Sequence, residues 1–209
     1  MVANRFIDLL PWKRFLGFAL LGCFCCAGDT AMQLPWISRN MALRAIADNG
    51  IHAVIGLWCW SLVSGLQTID DVLQTILCGV LSSAVDLDHF IAAKSFSLKD
   101  ALSLKSRPPF HATTLIPVIA CFLKLSIYLH PMPRLQNLPW IFSVAWFSHH
   151  IRDGTRRGLW MWPFGSTPPI PYWLYPMVTM VLPLVTVVIL QSMDGKKSRT
   201  FATIPQQLV

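Results

Sequence analysis

Long apolar runs separated by short polar connectors make up most of the chain. A helix needs about 20 mostly apolar residues to cross a bilayer. Runs of that kind predict five membrane spans, near residues 45–66, 72–93, 111–130, 138–157 and 171–191. We therefore expect an all-α, polytopic transmembrane helix bundle that forms a single domain over residues 1–193, followed by a polar, disordered tail at 194–209.

A sixth apolar run, near residues 15–36, allows more than one interpretation. Asp29 and Gln33 lie in its second half, so the run either crosses the membrane or lies at the interface. A secretory signal peptide is the main alternative, since Lys13 and Arg14 precede the run. Retention is favoured, because an Asp stands where a signal peptide would have the small residues of its cleavage site.

Composition supports a membrane location. The sequence is 54% hydrophobic and 13% charged, whereas soluble domains average about 25% charged residues. All ten acids are Asp, so Glu, which soluble surface helices normally use, is absent. The net charge of +7 is spread over short groups between the apolar runs, with no basic helix. The lipid bilayer is therefore the expected partner, and nucleic acid is not.

Ionisable residues lie at the ends of four predicted spans. Inserting such a residue at the membrane centre costs about 2.5–3.5 kcal/mol of free energy on insertion scales, so these residues are expected to have partners or a function. Up-and-down threading of the chain places all four groups at the same membrane face. In chain order the groups are Asp48 with His52, Asp86 with Asp88 and His89, His111 alone, and His149 with His150 and Asp153.

The spacing within these groups predicts a metal site. Residues three or four positions apart share a helix face, as Asp86 and His89 do, and His149 and Asp153. Helix bundles build metal sites from His and acidic side chains placed in this way on several helices. Nitrogen and carboxylate ligands suit zinc, manganese or iron. The predicted ligands, for one metal or for two, are His52, Asp86, His89, His111, His149 and Asp153.

Two other interpretations of the same residues stay open. A structural salt-bridge network would pair the acids with Arg107, Arg152 and Arg156, and a single His or Asp near a helix end is usually interfacial or a helix cap. A transporter would use the groups as a proton or cation relay. The transporter is disfavoured, because the groups lie near one face and the sequence has no matching half-repeat.

The distribution of Lys and Arg predicts an orientation. If only the five spans cross, the face with the His and Asp groups also carries most of the cationic residues, and the positive-inside rule makes it cytosolic. The opposite face keeps Arg134 and the basic tail. If the run at 15–36 also crosses, Arg5, Lys13 and Arg14 join the opposite face, and the bias nearly disappears.

Four stretches of sequence contain most of these polar residues. They are RAIADNGIHAVIG at 44–56, VDLDHF at 85–90, RPPFHATTLIP at 107–117 and SHHIRDGTRRGLWMWPFG at 148–165. Together they resemble the transmembrane protein 267 family of animals, and the similarity runs from about residue 44 to residue 175. The resemblance implies a multi-pass membrane protein and no particular reaction.

The same stretches more remotely resemble the bacterial membrane-bound metal-dependent hydrolases. The pattern of that family is a His, then D-x-D-H, H-R-G-x-T-H-S, H-x-x-x-D and a later Pro-Phe. Ser106 stands in place of the first His of the third element, and Pro108 in place of its Gly. Losing one ligand leaves a mononuclear or degenerate site. The matching positions are His52, Asp86, Asp88, His89, Arg107, His111, His149, Asp153, Pro163 and Phe164.

A metal held by neutral His and ionised Asp lowers the pKa of a coordinated water and makes hydroxide available. We expect Asp88, Arg107 and Arg152 to be catalytic, with the arginines holding an anionic headgroup or stabilising phosphate charge. The sequence therefore favours two functions. One is a metal-dependent membrane hydrolase of a lipid or phosphate-bearing substrate, and the other is a non-catalytic membrane scaffold or assembly protein whose polar cluster is structural.

Overall fold

A computed structural model describes residues 11–202, with the side chains of Trp12 and of residues 15–193. Within that range the chain is helical and has no strand, so the prediction of an all-α bundle is confirmed. Single-turn 3₁₀ helices occur at Pro109–His111 and Pro133–Leu135. The α-helices are α1 (Pro11–Ala31), α2 (Pro35–Ser38), α3 (Met41–Ser64), α4 (Ile69–Ala84), α5 (Leu87–Ala93), α6 (Leu98–Leu102), α7 (Leu115–Leu129), α8 (Leu138–Arg157) and α9 (Leu174–Ala202).

Local capping signals set the boundaries of the α3–α4 hairpin. The Asn40 side chain accepts a hydrogen bond from the Leu43 N–H at 3.0 Å, which starts α3. Gly65 ends α3 in the left-handed conformation, with φ of +80°. Thr68 and Asp71 form a capping box that starts α4. These signals place the two long helices side by side with a short connection.

Small residues bring α3 and α4 into close contact. A Cβ atom added at Gly79 would lie 2.9 Å from the carbonyl oxygen of Ala53, and one at Gly56 would lie 2.6 Å from Cβ of Ser82. Side chains at these positions would push the helices apart. The contact matters for the polar end of the bundle, because Ser82 follows Gly79 on α4 and Asp86 lies just beyond the end of that helix.

In the described part of the chain, three helical segments are long and apolar enough to cross a membrane, namely Met41–Ser64, Ile69–Ala93, which combines α4 and α5, and Leu174–Met193. Two of the five predicted spans do not meet both criteria. Helix α7 begins at Leu115 instead of near 111, because a 3₁₀ turn and a short turn precede it, and it has 15 residues. Helix α8 has 20 residues, but its second half is rich in charged and imidazole side chains.

Helix α8 lies at the centre of the bundle. It packs against α3, α4, α7 and α9, and most of its side chains are buried. A helix surrounded by other helices needs less apolar character than one that faces lipid, because polar residues inside a bundle can find partners there. This position explains how α8 holds so many polar residues.

The two ends of the chain differ in part from the predictions. Helix α1 packs against α3 and α9, so the apolar run near 15–36 belongs to the bundle, although α1 ends at Ala31. Helix α9 continues to Ala202, into the segment predicted to be a disordered tail. Residues 194–202 contain no proline, which would end a helix. Residues 203–209 of the predicted tail, and Arg5, lie outside the described residues.

The close α3–α4 contact predicts a position-specific effect of alanine. Gly79→Ala places a methyl group against a backbone carbonyl that cannot rotate away, and we expect a loss of about 1–3 kcal/mol in unfolding free energy. Gly50→Ala on α3 is the control, since nothing lies within 4 Å of an added Cβ there. Thermal unfolding of the detergent-solubilised variants measures both. Equal stability of the two variants would contradict the packing described.

Candidate metal centre

Four side chains from three parts of the fold meet at one end of the bundle. His149 and Asp153 lie one turn apart on α8, Asp86 lies at the break between α4 and α5, and His111 ends the 3₁₀ turn before α7. One ligand atom from each lies within 4.8 Å of all the others. We call these four residues the His/Asp cluster. The prediction that threading gathers the polar groups at one face is confirmed for these residues.

The distances within the His/Asp cluster are close to the separations between ligands around one metal ion. Nε2 of His149 lies 3.3 Å from Oδ2 of Asp153 and 3.6 Å from Oδ1 of Asp86. Nε2 of His111 lies 3.4 Å from Oδ2 of Asp153 and 3.5 Å from Oδ1 of Asp86. A tetrahedron of ligands at 2.0–2.1 Å from zinc has edges of about 3.3–3.4 Å. The four measured separations are close to that value.

His149 is held in a defined tautomer by the backbone. Its Nδ1 lies 2.9 Å from the carbonyl oxygen of Ser82, which can only accept, so Nδ1 carries the hydrogen. In the neutral ring Nε2 is then an acceptor; it is fully buried and makes no hydrogen bond among the described residues. It faces the carboxylate oxygens of Asp86 and Asp153. The neutral ring and two carboxylates repel one another unless a cation, which can be a proton, lies between them.

Asp88 orients His111 from behind and does not face the common point. Its Oδ2 accepts from the Phe110 N–H at 2.6 Å and lies 3.3 Å from Nδ1 of His111. Its side chain is fully buried. A carboxylate behind the imidazole fixes the tautomer in which Nε2 points to the cluster. The structure thus places the predicted catalytic Asp88 behind a ligand, in the position of an orienting residue.

The carboxylates also give the cluster a negative electrostatic potential. His111 lies in the loop that precedes α7, outside the helices. Burial alone would lower its pKa, but hydrogen bonds to Asp153, Asp86 and Asp88 outweigh burial and raise the pKa of His111 to about 11. The site therefore attracts positive charge, and either a proton on His111 or a bound cation would supply it.

His52 and His89, the other two predicted ligands, flank the cluster. Nε2 of His52 lies 3.4 Å from Oδ1 of Asp153, and its ring stacks on that of His149 with centroids 3.8 Å apart. Nε2 of His89 lies 3.8 Å from Oδ1 of Asp86, and its Nδ1 donates to the Ala101 carbonyl at 3.1 Å. All six predicted ligands thus gather here, and their binding of a metal stays a prediction.

Arg152 belongs to a separate ion-pair network. Its guanidinium is 1% exposed and lies 2.9 Å from Oδ1 of Asp29 and 2.7 Å from Oδ1 of Asp48. Asp48 also pairs with Arg156 at 2.7 Å. These contacts join α1, α3 and α8. Asp29 stood out in the sequence as an acid inside an apolar run, but no pattern in the sequence identifies Arg152 as its partner.

His150 fixes the loop that carries His111. Its Nε2 donates to the Phe110 carbonyl at 2.9 Å, and its Nδ1 accepts from the Thr113 hydroxyl at 3.1 Å. Both ring nitrogens are therefore used by the loop. Asp88 accepts from the Phe110 N–H and His150 donates to the Phe110 carbonyl, so both backbone polar groups of the residue next to His111 are fixed.

A cavity of about 740 Å³ lies beside the His/Asp cluster. Asp86, His111 and Asp153 line it, as does His89. Arg107 also lines it, and its guanidinium donates to the carbonyl of Gly158 at 3.0 Å and to that of Arg157. Burial and the charge of Arg157 lower the pKa of Arg107. Arg152 is not among the lining residues, whereas Arg156 and Arg157 are.

Fold and cluster together define a multi-pass helical membrane protein with a group of His and Asp side chains at one end of its bundle. The chain is 46% identical over 164 residues to Transmembrane protein 267 of Bos taurus, covering 78% of this chain and 76% of the relative. It is 47% identical over 169 residues to the Xenopus laevis protein of the same name, covering 79% and 77%. It is 46% identical over 185 residues to the Danio rerio protein of the same name, which covers 87% of this chain and 82% of the relative. The chain belongs to the transmembrane protein 267 family.

No model of a known protein family matches the chain, and no solved structure matches it. The resemblance to the bacterial metal-dependent hydrolases therefore has no support from these comparisons. The side chains of the cluster and its cavity are therefore the basis for inferring a metal or a reaction.

The ion-pair network predicts that Arg152 is structural. Arg152→Gln leaves Asp29 without its buried partner, and breaking a buried pair in this way costs about 3–5 kcal/mol of unfolding free energy. Arg134→Gln is the matched control, because Arg134 is exposed and makes no ion pair among the described residues. Thermal unfolding in detergent compares the two. If both variants melt like the wild type, Arg152 does not hold α1, α3 and α8 together.

Proposed function

We propose that the His/Asp cluster binds one divalent transition metal ion, zinc, manganese or iron, and that the protein is a metal-dependent membrane hydrolase of a lipid or phosphate-bearing substrate. The observation that carries this proposal is the buried Nε2 of His149, which makes no hydrogen bond within the described part of the chain and faces two carboxylate oxygens. Two imidazole nitrogens and two carboxylate oxygens suit each of these metals.

The groups behind the ligands support the same proposal. Metal-binding His residues commonly donate their second ring N–H to a carbonyl or carboxylate, which orients the ring. His149 uses the Ser82 carbonyl in this way, and His111 uses Asp88. In the proposed site Asp86, His111, His149 and Asp153 hold the metal. A metal held there would lower the pKa of a bound water and supply hydroxide as a nucleophile.

His89 is suited to move a proton at this site. Its Nδ1 donates to the Ala101 carbonyl, so in the neutral ring Nε2 is the atom that can accept a proton, and the residue lines the cavity. The side chain is 27% exposed, more than any of the other imidazoles that touch the cluster carboxylates. In the proposed reaction Nε2 of His89 accepts a proton from water in the cavity, and Asp88 keeps His111 in place.

A non-catalytic membrane scaffold is the second candidate. It is favoured by the ion pairs of Arg152, which connect three helices at the same end of the bundle without any ligand. In that case a proton on His111 neutralises the carboxylates and the cluster is structural. The two candidates differ in whether the purified protein holds a metal.

Metal content separates the two candidates. We expect elemental analysis of the detergent-purified wild type to give about one equivalent of a transition metal, because the cluster offers one complete ligand set. His111→Ala and His149→Ala each remove one ligand and should lose most of it. His130→Ala, an exposed His at the end of α7, is the control and should keep the metal. If the purified wild type holds no stoichiometric metal, both the proposed metal site and the proposed hydrolase activity are wrong.

Catalysis requires a second readout on the same samples. Release of phosphate from phosphatidic acid in mixed micelles should depend on the metal and should fall at least tenfold in His89→Gln with the metal retained. If the protein holds stoichiometric metal but releases phosphate from none of the phospholipids offered, it is a metal-binding scaffold and the hydrolase proposal is wrong.

A further inference from the structure

We propose that the cavity beside the His/Asp cluster binds an anionic lipid, with its phosphate on the guanidinium groups of Arg107 and Arg157 and its acyl chain along an apolar wall. The proposal names the substrate class for the proposed function, and its catalytic meaning rests on that function. The binding itself depends on arginines and apolar side chains that are not metal ligands.

Cationic side chains on the cavity wall exceed the acids that could neutralise them. Five arginines line the cavity, against three acids. Arg156 is paired with Asp48, whereas the other four make no ion pair among the described residues. Positive charge without a partner in a partly enclosed cavity attracts an anion. The four are Arg39, Arg44, Arg107 and Arg157.

Arg107 and Arg157 are neighbours on the cavity wall. Arg107 donates to the backbone carbonyl of Arg157, and the charge of Arg157 contributes to lowering the pKa of Arg107. A guanidinium has five N–H donors, and Arg107 uses two of its nitrogens on carbonyls. The remaining donors are available to a phosphate, which guanidinium groups bind with good geometry. An anion between them would relieve the repulsion of the two cations.

Part of the cavity wall is apolar and partly open. Ile46 of α3 is 69% exposed, Leu87 of α5 is 57% exposed and Leu102 of α6 is 55% exposed, and all three line the cavity. Phe90 and Leu98 also line it. Inorganic phosphate or a small water-soluble ester would leave this wall uncovered. A lipid places its headgroup on the arginines and its chain on this wall.

Aromatic residues place the mouth of the cavity at the level of the headgroups. Trp160 lines the cavity, and its carbonyl accepts from the Thr113 N–H at 2.8 Å. The same loop exposes Trp162 and Phe164, which is 88% exposed. Phe96, in the turn between α5 and α6, is fully exposed. Exposed aromatic rings beside a membrane bundle favour the lipid–water interface, so a lipid can enter without leaving the membrane.

Native mass spectrometry of the detergent-purified protein tests this inference, with phosphatidic acid and phosphatidylcholine as probes. We expect the wild type to bind phosphatidic acid at least about tenfold more tightly than phosphatidylcholine. Arg157→Gln should weaken phosphatidic acid binding about tenfold, because a charge-assisted contact is lost. Arg134→Gln, an exposed arginine outside the cavity, is the matched control and should bind as the wild type does. The same measurements on protein treated with a chelator should keep the preference for phosphatidic acid.

Two results would overturn the inference. One is equal binding of the two lipids, or an effect of Arg157→Gln no larger than that of Arg134→Gln. The other is displacement of phosphatidic acid by glycerol 3-phosphate at equal concentration, which would mean that the apolar wall contributes nothing. Metal content is measured separately, so a protein that binds phosphatidic acid through Arg157 but holds no metal would contradict the proposed hydrolase and leave the lipid site standing.

Discussion

Two carboxylates, those of Asp86 and Asp153, face one point at the end of the bundle, with the lone pair of the buried His149 directed at the same point. Negative charge in a poorly solvated place is costly unless a partner neutralises it. The surrounding structure is arranged around that requirement. Ser82 and Asp88 fix the rings of His149 and His111, and the break between α4 and α5 brings Asp86 to the end of α8.

The acids next to the cluster are paired with arginines, unlike the carboxylates of the cluster itself. This difference distinguishes acids with a structural role from acids that are candidate metal ligands. Asp29 and Asp48 are paired with Arg152, and Asp48 also with Arg156, so these charges balance within the protein. Among the described residues, the only arginine that forms an ion pair with the His/Asp cluster is Arg156, 3.6 Å from Asp153, so a proton on His111 or a bound cation has to balance the carboxylates. On the wall of the cavity, four arginines have no acidic partner among the described residues. The excess of acid at the cluster and of base on the wall favours a metal at one and an anion at the other.

The sequence predicted the gathering of the site well, for a physical reason. The helix period determines which residues share one side of a helix, as His149 and Asp153 do. The alternating direction of the spans determines which span ends lie at the same membrane face, as those at His52 and His111 do. These two rules were sufficient to predict that the residues come together. The Ser82 carbonyl could not be predicted, because any residue supplies the same backbone acceptor. Nor could the pairing of Asp29 with Arg152, which depends on how α1 packs. The central place of α8 was missed because periodicity does not reveal which helix the others surround.

The central claim is that the cluster of His111, His149 and two carboxylates coordinates a metal. X-ray absorption at the edge of the metal found in the purified protein tests it most directly. The account predicts a first shell of nitrogen and oxygen alone at about 2.0–2.2 Å, with the outer-shell scattering of two imidazoles. Sulfur scattering near 2.3 Å, or a first shell without imidazole, would contradict it.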